Sequence, residues 1–201
     1  MNTNIQTLFE KQGGYVTRRQ VDEANLDPHL LTRLVQSGEI ERIQRGVYRL
    51  IDAPMYAHEG LLEVSLRIPY GVVCLSTALA FHGLTTFIPK AIHLAVPQKR
   101  KPPKLSYPPV KIHYFSHTTY ECGIEIHCHK NNEMRVYSIE KTLVDLFRFK
   151  ENTLFAEGLK NYLSRRKPKP NLTRLLQIAA LGRVEKRLHS ILEVMAYDIS
   201  S

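Results

Sequence analysis

The sequence predicts an α+β fold, and three observations carry that prediction. Short amphipathic segments and a two-stranded ribbon fill residues 1–51. Four strand-like runs, "AIHLAVP", "VKIHYFS", "IEIHCHK" and "MRVYS", lie between residues 91 and 138. From Ser138 onward every segment has helical periodicity. Strands and helices that come in blocks, rather than alternating, belong to α+β proteins. With 201 residues and 43% apolar content, the chain can bury one large core or two smaller ones.

The N-terminal elements follow from local signals. "IQTLFEKQGG" places Ile5, Leu8 and Phe9 on one helical face and stops at Gly13-Gly14. Thr17 and Gln20 form a capping box that starts a second helix at Arg18. Asp27 as N-cap and Pro28 at the first helical position start a third helix, Pro28 to Ser37, with Gly38 past its end. Its apolar stripe is Leu30, Leu31, Leu34 and Val35; His29, Thr32, Arg33 and Gln36 form the opposite one.

"EIERIQRGVYRL" is then a ribbon turning at Arg45-Gly46. A two-residue turn sets Gln44 against Val47, Ile43 against Tyr48, Arg42 against Arg49 and Glu41 against Leu50. Ile43, Tyr48 and Leu50 then face the helices, and Arg42, Arg49, Gln44 and Val47 face outward. Two like charges opposite each other destabilise a ribbon, unless phosphate is meant to sit between them. A type I′ turn would also force Arg45 to positive φ, and a longer loop would shift the pairing.

Three helices and a ribbon describe a winged helix-turn-helix. Its recognition helix would be Pro28–Ser37, with His29 and Thr32 on the reading face, Arg33 suited to guanine and Gln36 to adenine. Arg18 and Arg19 would hold phosphate at a helix N-terminus, and Arg42, Gln44, Arg45 and Arg49 would form the wing. The domain boundary is expected after residue 51, at "DAPMYAHEG", leaving residues 52–201 as a mixed domain with a small β-sheet and a helical C-terminal portion.

The formal charge is +9, unevenly spread: residues 1–52 hold seven basic and seven acidic side chains, residues 53–137 nine and five, and residues 138–201 twelve and seven. The excess favours polyanionic partners but lies outside the expected DNA-binding segment. "PQKRKPPKLSYPP" reads as an exposed cationic loop, and the basic runs Lys99–Lys104 and Arg165–Lys169 as auxiliary phosphate contacts at most.

Between residue 52 and the strands, helices are expected at Glu59–Arg67 and in "LSTALAFHGL", capped by Ser76 and stopped by Gly83. After Ser138, a cap for "SIEKTLVDLFRFK", helices are expected near 153–165, 171–181 and 183–198. The last carries Val184, Leu188, Ile191 and Met195 as a core-facing stripe.

Enzymatic chemistry finds little footing. His113, His117, Cys122, His127, Cys128 and His129 crowd one stretch, yet no zinc-type spacing appears, so they read as structural or surface groups. A metal-dependent nuclease would need clustered carboxylates; the strands offer Glu121, Glu125 and Glu133 without an acidic-x-Lys triplet. Asp145, on a helix, is expected to satisfy a buried donor or pair with an arginine. No catalytic residue, metal or cofactor is assigned. Three cysteines without regular spacing suit a reducing cytosol, and no cationic-apolar leader or membrane-length apolar run is read, so the expected location is cytoplasmic.

The segments "GGYVTRRQV", "LVQSGEIERIQRGVYRL", "LSTALAFHGL", "IHLAVP" and "YSIEKTLVDLF", in that order, resemble the AbiEi-type antitoxins of bacterial abortive-infection systems over nearly the whole chain. The resemblance implies a transcriptional autorepressor whose winged helix binds the promoter of its own operon. It implies a C-terminal domain that counteracts a nucleotidyltransferase-like toxin without a stable complex. The rival readings are a metal-dependent nuclease, a nucleic-acid-binding regulator unrelated to a toxin, and a module binding a protein or RNA through the basic C-terminal domain.

Overall fold

The computed structural model describes residues 3–199, and side chains from residue 4 to residue 193. The chain forms two compact units. The first comprises Met1–Gly71 with Pro102–Pro108 and Ile126–Arg135; the second comprises Val72–Lys101, Pro109–Glu125 and Val136–Ser201. The first unit is therefore more than the N-terminal 51 residues. It takes in a helix, a proline-rich loop segment and a hairpin tip from further along the chain.

The first unit is built from α1 (Thr3–Lys11), β1 (Tyr15–Thr17), α2 (Arg18–Glu23), α3 (His29–Gln36), β2 (Ile40–Gln44), β3 (Val47–Leu50) and α4 (Glu59–Arg67). Ile5, Phe9, Val16, Val21, Leu31 and Leu34 form its core, with Tyr48 and Leu50 packed against them. The Thr17–Gln20 capping box forms as the sequence predicts. Asp27 accepts from the His29 amide at 2.9 Å, so it does the capping, although the helix is counted from His29. Val35 departs from the expected apolar stripe: it is exposed, while Leu31 and Leu34 are buried.

β1 was missed by sequence patterning, because three residues are too few to show a period of two. It makes the ribbon three-stranded, in the order β1-β3-β2, all antiparallel. Gln44 pairs with Val47 as expected, but a β-bulge between Arg42 and Gln44 shifts the rest. Arg42 sits opposite Tyr48, Glu41 opposite Arg49, and Ile40 opposite Leu50. A bulge adds one residue to one strand and kinks it. Here it removes the like-charge clash: Arg42 and Arg49 are not partners. Arg49 Nε instead donates to Glu41 Oε1 at 2.8 Å. The turn also avoids the type I′ demand, since Gly46 alone takes positive φ, at 77°.

The hairpin tip completes this unit. Two strands, β7 (Ile124–His129) and β8 (Asn132–Tyr137), are joined at Lys130-Asn131. Buried Asn132 donates to the carbonyls of Gln12 at 2.6 Å and Tyr15 at 2.9 Å, and accepts from Gln20 Nε2 at 2.9 Å. His129 stacks on Tyr56 with ring centroids 4.1 Å apart. Gly13, at φ 67°, is obligatory here: a Cβ on it would stand 2.5 Å from His129 Nε2.

The remaining elements are β4 (Val72–Val73), α5 (Leu75–Phe81), β5 (Ile92–Pro97), β6 (Val110–Phe115), α6 (His117–Glu121), α7 (Ile139–Arg148), α8 (Asn152–Leu163), α9 (Leu172–Leu181) and α10 (Glu185–Ile199). The sheet runs β6-β5-β4-β8-β7 and is mixed: β5 and β6 are parallel, β4 and β5 antiparallel, β4 and β8 parallel. All four expected strands form. The two-residue β4 and five-residue α6 were too short to predict, and α5 starts at Leu75, so Ser76 lies inside the helix rather than capping it.

Ser138 caps α7 as expected, accepting from the Lys141 amide, and Ile139, Leu143, Leu146 and Phe147 are buried. Leu188 is buried and Val184 and Ile191 pack on the same core. Met195, the fourth residue of that expected stripe, has its side chain outside the described residues. The architecture is α+β. No helix among the described residues is long and apolar enough to cross a membrane.

Candidate nucleic-acid interface

The reading stripe expected on α3 lies at the surface. His29, Thr32, Arg33 and Gln36 are all exposed, and their spacing of three and four residues keeps them on one helical face. Arg33 lies 3.8 Å from Asp27, a loose pair with both side chains largely in solvent. Such a pair contributes little and releases its guanidinium easily.

The basic residues beside this helix divide into two kinds. Arg42 and Arg45 are exposed and make no ion pair among the described residues. Arg18 and Arg19 are also exposed, but each is bonded one turn on, to Asp22 at 3.0 Å and Glu23 at 2.7 Å. The Arg18 amide donates to the Gly46 carbonyl at 2.9 Å, which sets the start of α2 beside the ribbon turn. Arg18 and Arg45 are thus neighbours.

Two expected wing residues are engaged within the protein. Arg49 bonds Glu41 and lies 3.4 Å from Glu59 at the start of α4. Val47, on the same strand, is fully buried rather than outward-facing. The ribbon therefore has both faces partly covered, and only its tip and Arg42 are open. Gln44 spends its amide on the carbonyl of Tyr107, at 3.1 Å.

The histidine-rich stretch disperses. His127 and His129 belong to the first unit, while His113 pairs in the second with His93, a partner no spacing signalled. Glu121 and Glu125 fall in the second unit and Glu133 in the first. Among the described residues, no three His, Cys, Asp or Glu side chains converge to hold a metal ion.

His113 Nε2 and His93 Nδ1 are 3.2 Å apart with their rings stacked, and the Phe149 ring stands edge-on to His113. Burial, then the neighbouring His93 and Lys111, pushes His113 down to about 4. Burial and Lys111 also lower His93, opposed by Glu151. An unfolded imidazole takes its proton near pH 6.5. Between pH 6.5 and 4 the unfolded chain therefore binds more protons than the folded one, and stability falls as pH drops through that window. Replacing His113 with Gln should flatten the fall; urea midpoints at pH 7.5 and pH 5 measure it, and an unchanged pH dependence would show that burial does not hold His113 neutral.

By fold this is an α+β protein whose first unit presents a polar helix and a basic ribbon tip to solvent. Residues 5–51 match the family described as "Transcriptional regulator, AbiEi antitoxin". The resemblance expected from sequence is borne out over that span, which ends one residue after β3. The chain is also similar to the crystal structure of the RV2827C protein from Mycobacterium tuberculosis: 16% identity, covering 94% of this chain and 79% of that one, with a TM-score of 0.49. No curated protein matches the chain.

Proposed function

We propose that the first unit is a winged helix-turn-helix that binds duplex DNA, with α3 in the major groove and the Arg45-Gly46 turn as the wing. The observation that carries this reading is the exposed stripe His29, Thr32, Arg33 and Gln36, flanked by exposed Arg42 and Arg45, within the span that matches a family of transcriptional regulators. Arg18 and Arg19 add phosphate contacts by giving up their surface pairs with Asp22 and Glu23, which are weak in water. Arg49 supports the wing from behind and is not itself a DNA contact.

The protein acts as a cytoplasmic, non-enzymatic antitoxin and autorepressor. It binds the promoter of its own operon, and residues 52–201 counteract a nucleotidyltransferase-like toxin without a stable complex. The family description and the resemblance support this role. The first unit carries eleven basic and ten acidic side chains and the second seventeen and nine. DNA binding by the first unit thus depends on where its cations stand rather than on its net charge.

Replacing Arg42 and Arg45 with Ala, and leaving Arg49 in place, tests the reading. Affinity for a duplex of the chain's own upstream DNA should fall roughly tenfold or more, with a shallower salt dependence. The unfolding midpoint should stay unchanged. Equal binding by the double variant and the parent in gel shifts would overturn the wing assignment.

A further inference from the structure

We infer that the loop Pro102–Pro108 is a second arm of the DNA interface, with Lys104 and Tyr107 touching the phosphate backbone and Gln44 positioning them. This rests on the DNA-binding reading of the first unit.

The loop segment belongs to the same compact unit as the ribbon. It is tied to the wing directly, because the Gln44 amide donates to the Tyr107 carbonyl at 3.1 Å from the residue just before the turn. Pro108 is buried and anchors the segment, while Lys104 is exposed and Tyr107 is 72% exposed. Lys104 makes no ion pair among the described residues.

Two features suit a polyphosphate and not an apolar partner. An ammonium and a phenol hydroxyl are both donors of the kind that contact phosphate and fix register on a duplex. Pro102, Pro103 and Pro108 restrict φ along the segment, so little freedom is lost when it is held against a ligand.

The Gln44 bond also explains that residue's role. With its amide donating to the Tyr107 carbonyl, Gln44 holds the loop at the level of the turn. Gln44 is accordingly a positioning residue.

The experiment uses the full chain, fluorescence anisotropy, and two probes: a duplex of its own upstream DNA and a random duplex of equal length. Lys104→Ala should weaken binding to both about threefold to fivefold and lower the log–log salt slope by about one. Gln44→Ala should weaken binding alone, yet add nothing once Lys104→Ala and Tyr107→Ala are in place. If the parent binds, and Arg42→Ala/Arg45→Ala weakens it while Lys104→Ala leaves affinity and slope unchanged, the loop is not part of the interface and the DNA reading stands. If Gln44→Ala is additive with the loop variants, its positioning role is wrong. If the parent binds neither probe, the DNA reading fails and the loop assignment with it.

Discussion

Lys141→Met should lower the free energy of unfolding by about 3 kcal/mol or more, the usual cost of stripping one partner from a buried ion pair. Lys141 and Asp145 sit one turn apart on α7 with side chains 2% and 1% exposed, and the ammonium donates to Asp145. The aromatic rings of Tyr137 and Phe115 lie 4.3 Å and 4.7 Å from that ammonium, so Met would fill the space well but leave the carboxylate behind. Arg148 reaches Asp145 at 3.3 Å from a partly exposed position and offsets only part of the loss.

Burial pushes Asp145 up and Lys141 down, and their mutual attraction opposes both shifts. Neither group is therefore stable as a lone charge in this core. The control is Lys141→Met with Asp145→Leu, which removes both charges and should recover much of the stability. Urea unfolding of the three proteins checks this. A Lys141→Met protein within about 0.5 kcal/mol of the parent would contradict the buried-pair account, that being the range expected of an ordinary surface change.

Asn132→Ala should cost about 3 kcal/mol, since three hydrogen bonds of roughly 1 kcal/mol each are lost at a buried site. Two of these join the hairpin tip to the carbonyls that follow α1, and the third meets the capping glutamine of α2. The loss should therefore appear in the helices of the first unit, even though residue 132 is distant in sequence. Amide exchange of α1 and α2 should accelerate along with the fall in urea midpoint. If exchange quickened only in the hairpin, the tip would not be holding those helices. The same bonds imply that a fragment of residues 1–51 is less stable than that segment within the full chain.

Much of the secondary structure was legible. Thr17 with Gln20, Asp27 with Pro28, and Ser138 are signals that act over two to four residues, and each produced the helix start it predicts, to within a residue. The exposed stripe of α3 followed from its period. The elements that escaped, β1, β4 and α6, are two to five residues long and too short for a pattern to declare itself. The pairing of Asp145 was also foreseeable in kind, because a carboxylate on a buried helical face needs a donor. That the donor would be a fully buried lysine was not.

Local signals placed the starts of α2, α3 and α7 and put His29, Thr32, Arg33 and Gln36 on one open face. Those outcomes depend on steric and capping preferences between near neighbours. Long-range packing settled the remainder. A bulge reset the ribbon so that Arg49 meets Glu41 rather than Arg42. A hairpin tip 120 residues beyond Gln12 supplied the donor to its carbonyl. Gln44 met a carbonyl 63 residues away. Such partners are chosen by whichever arrangement buries the most apolar surface with its polar groups satisfied, and that choice leaves no periodic trace along the chain.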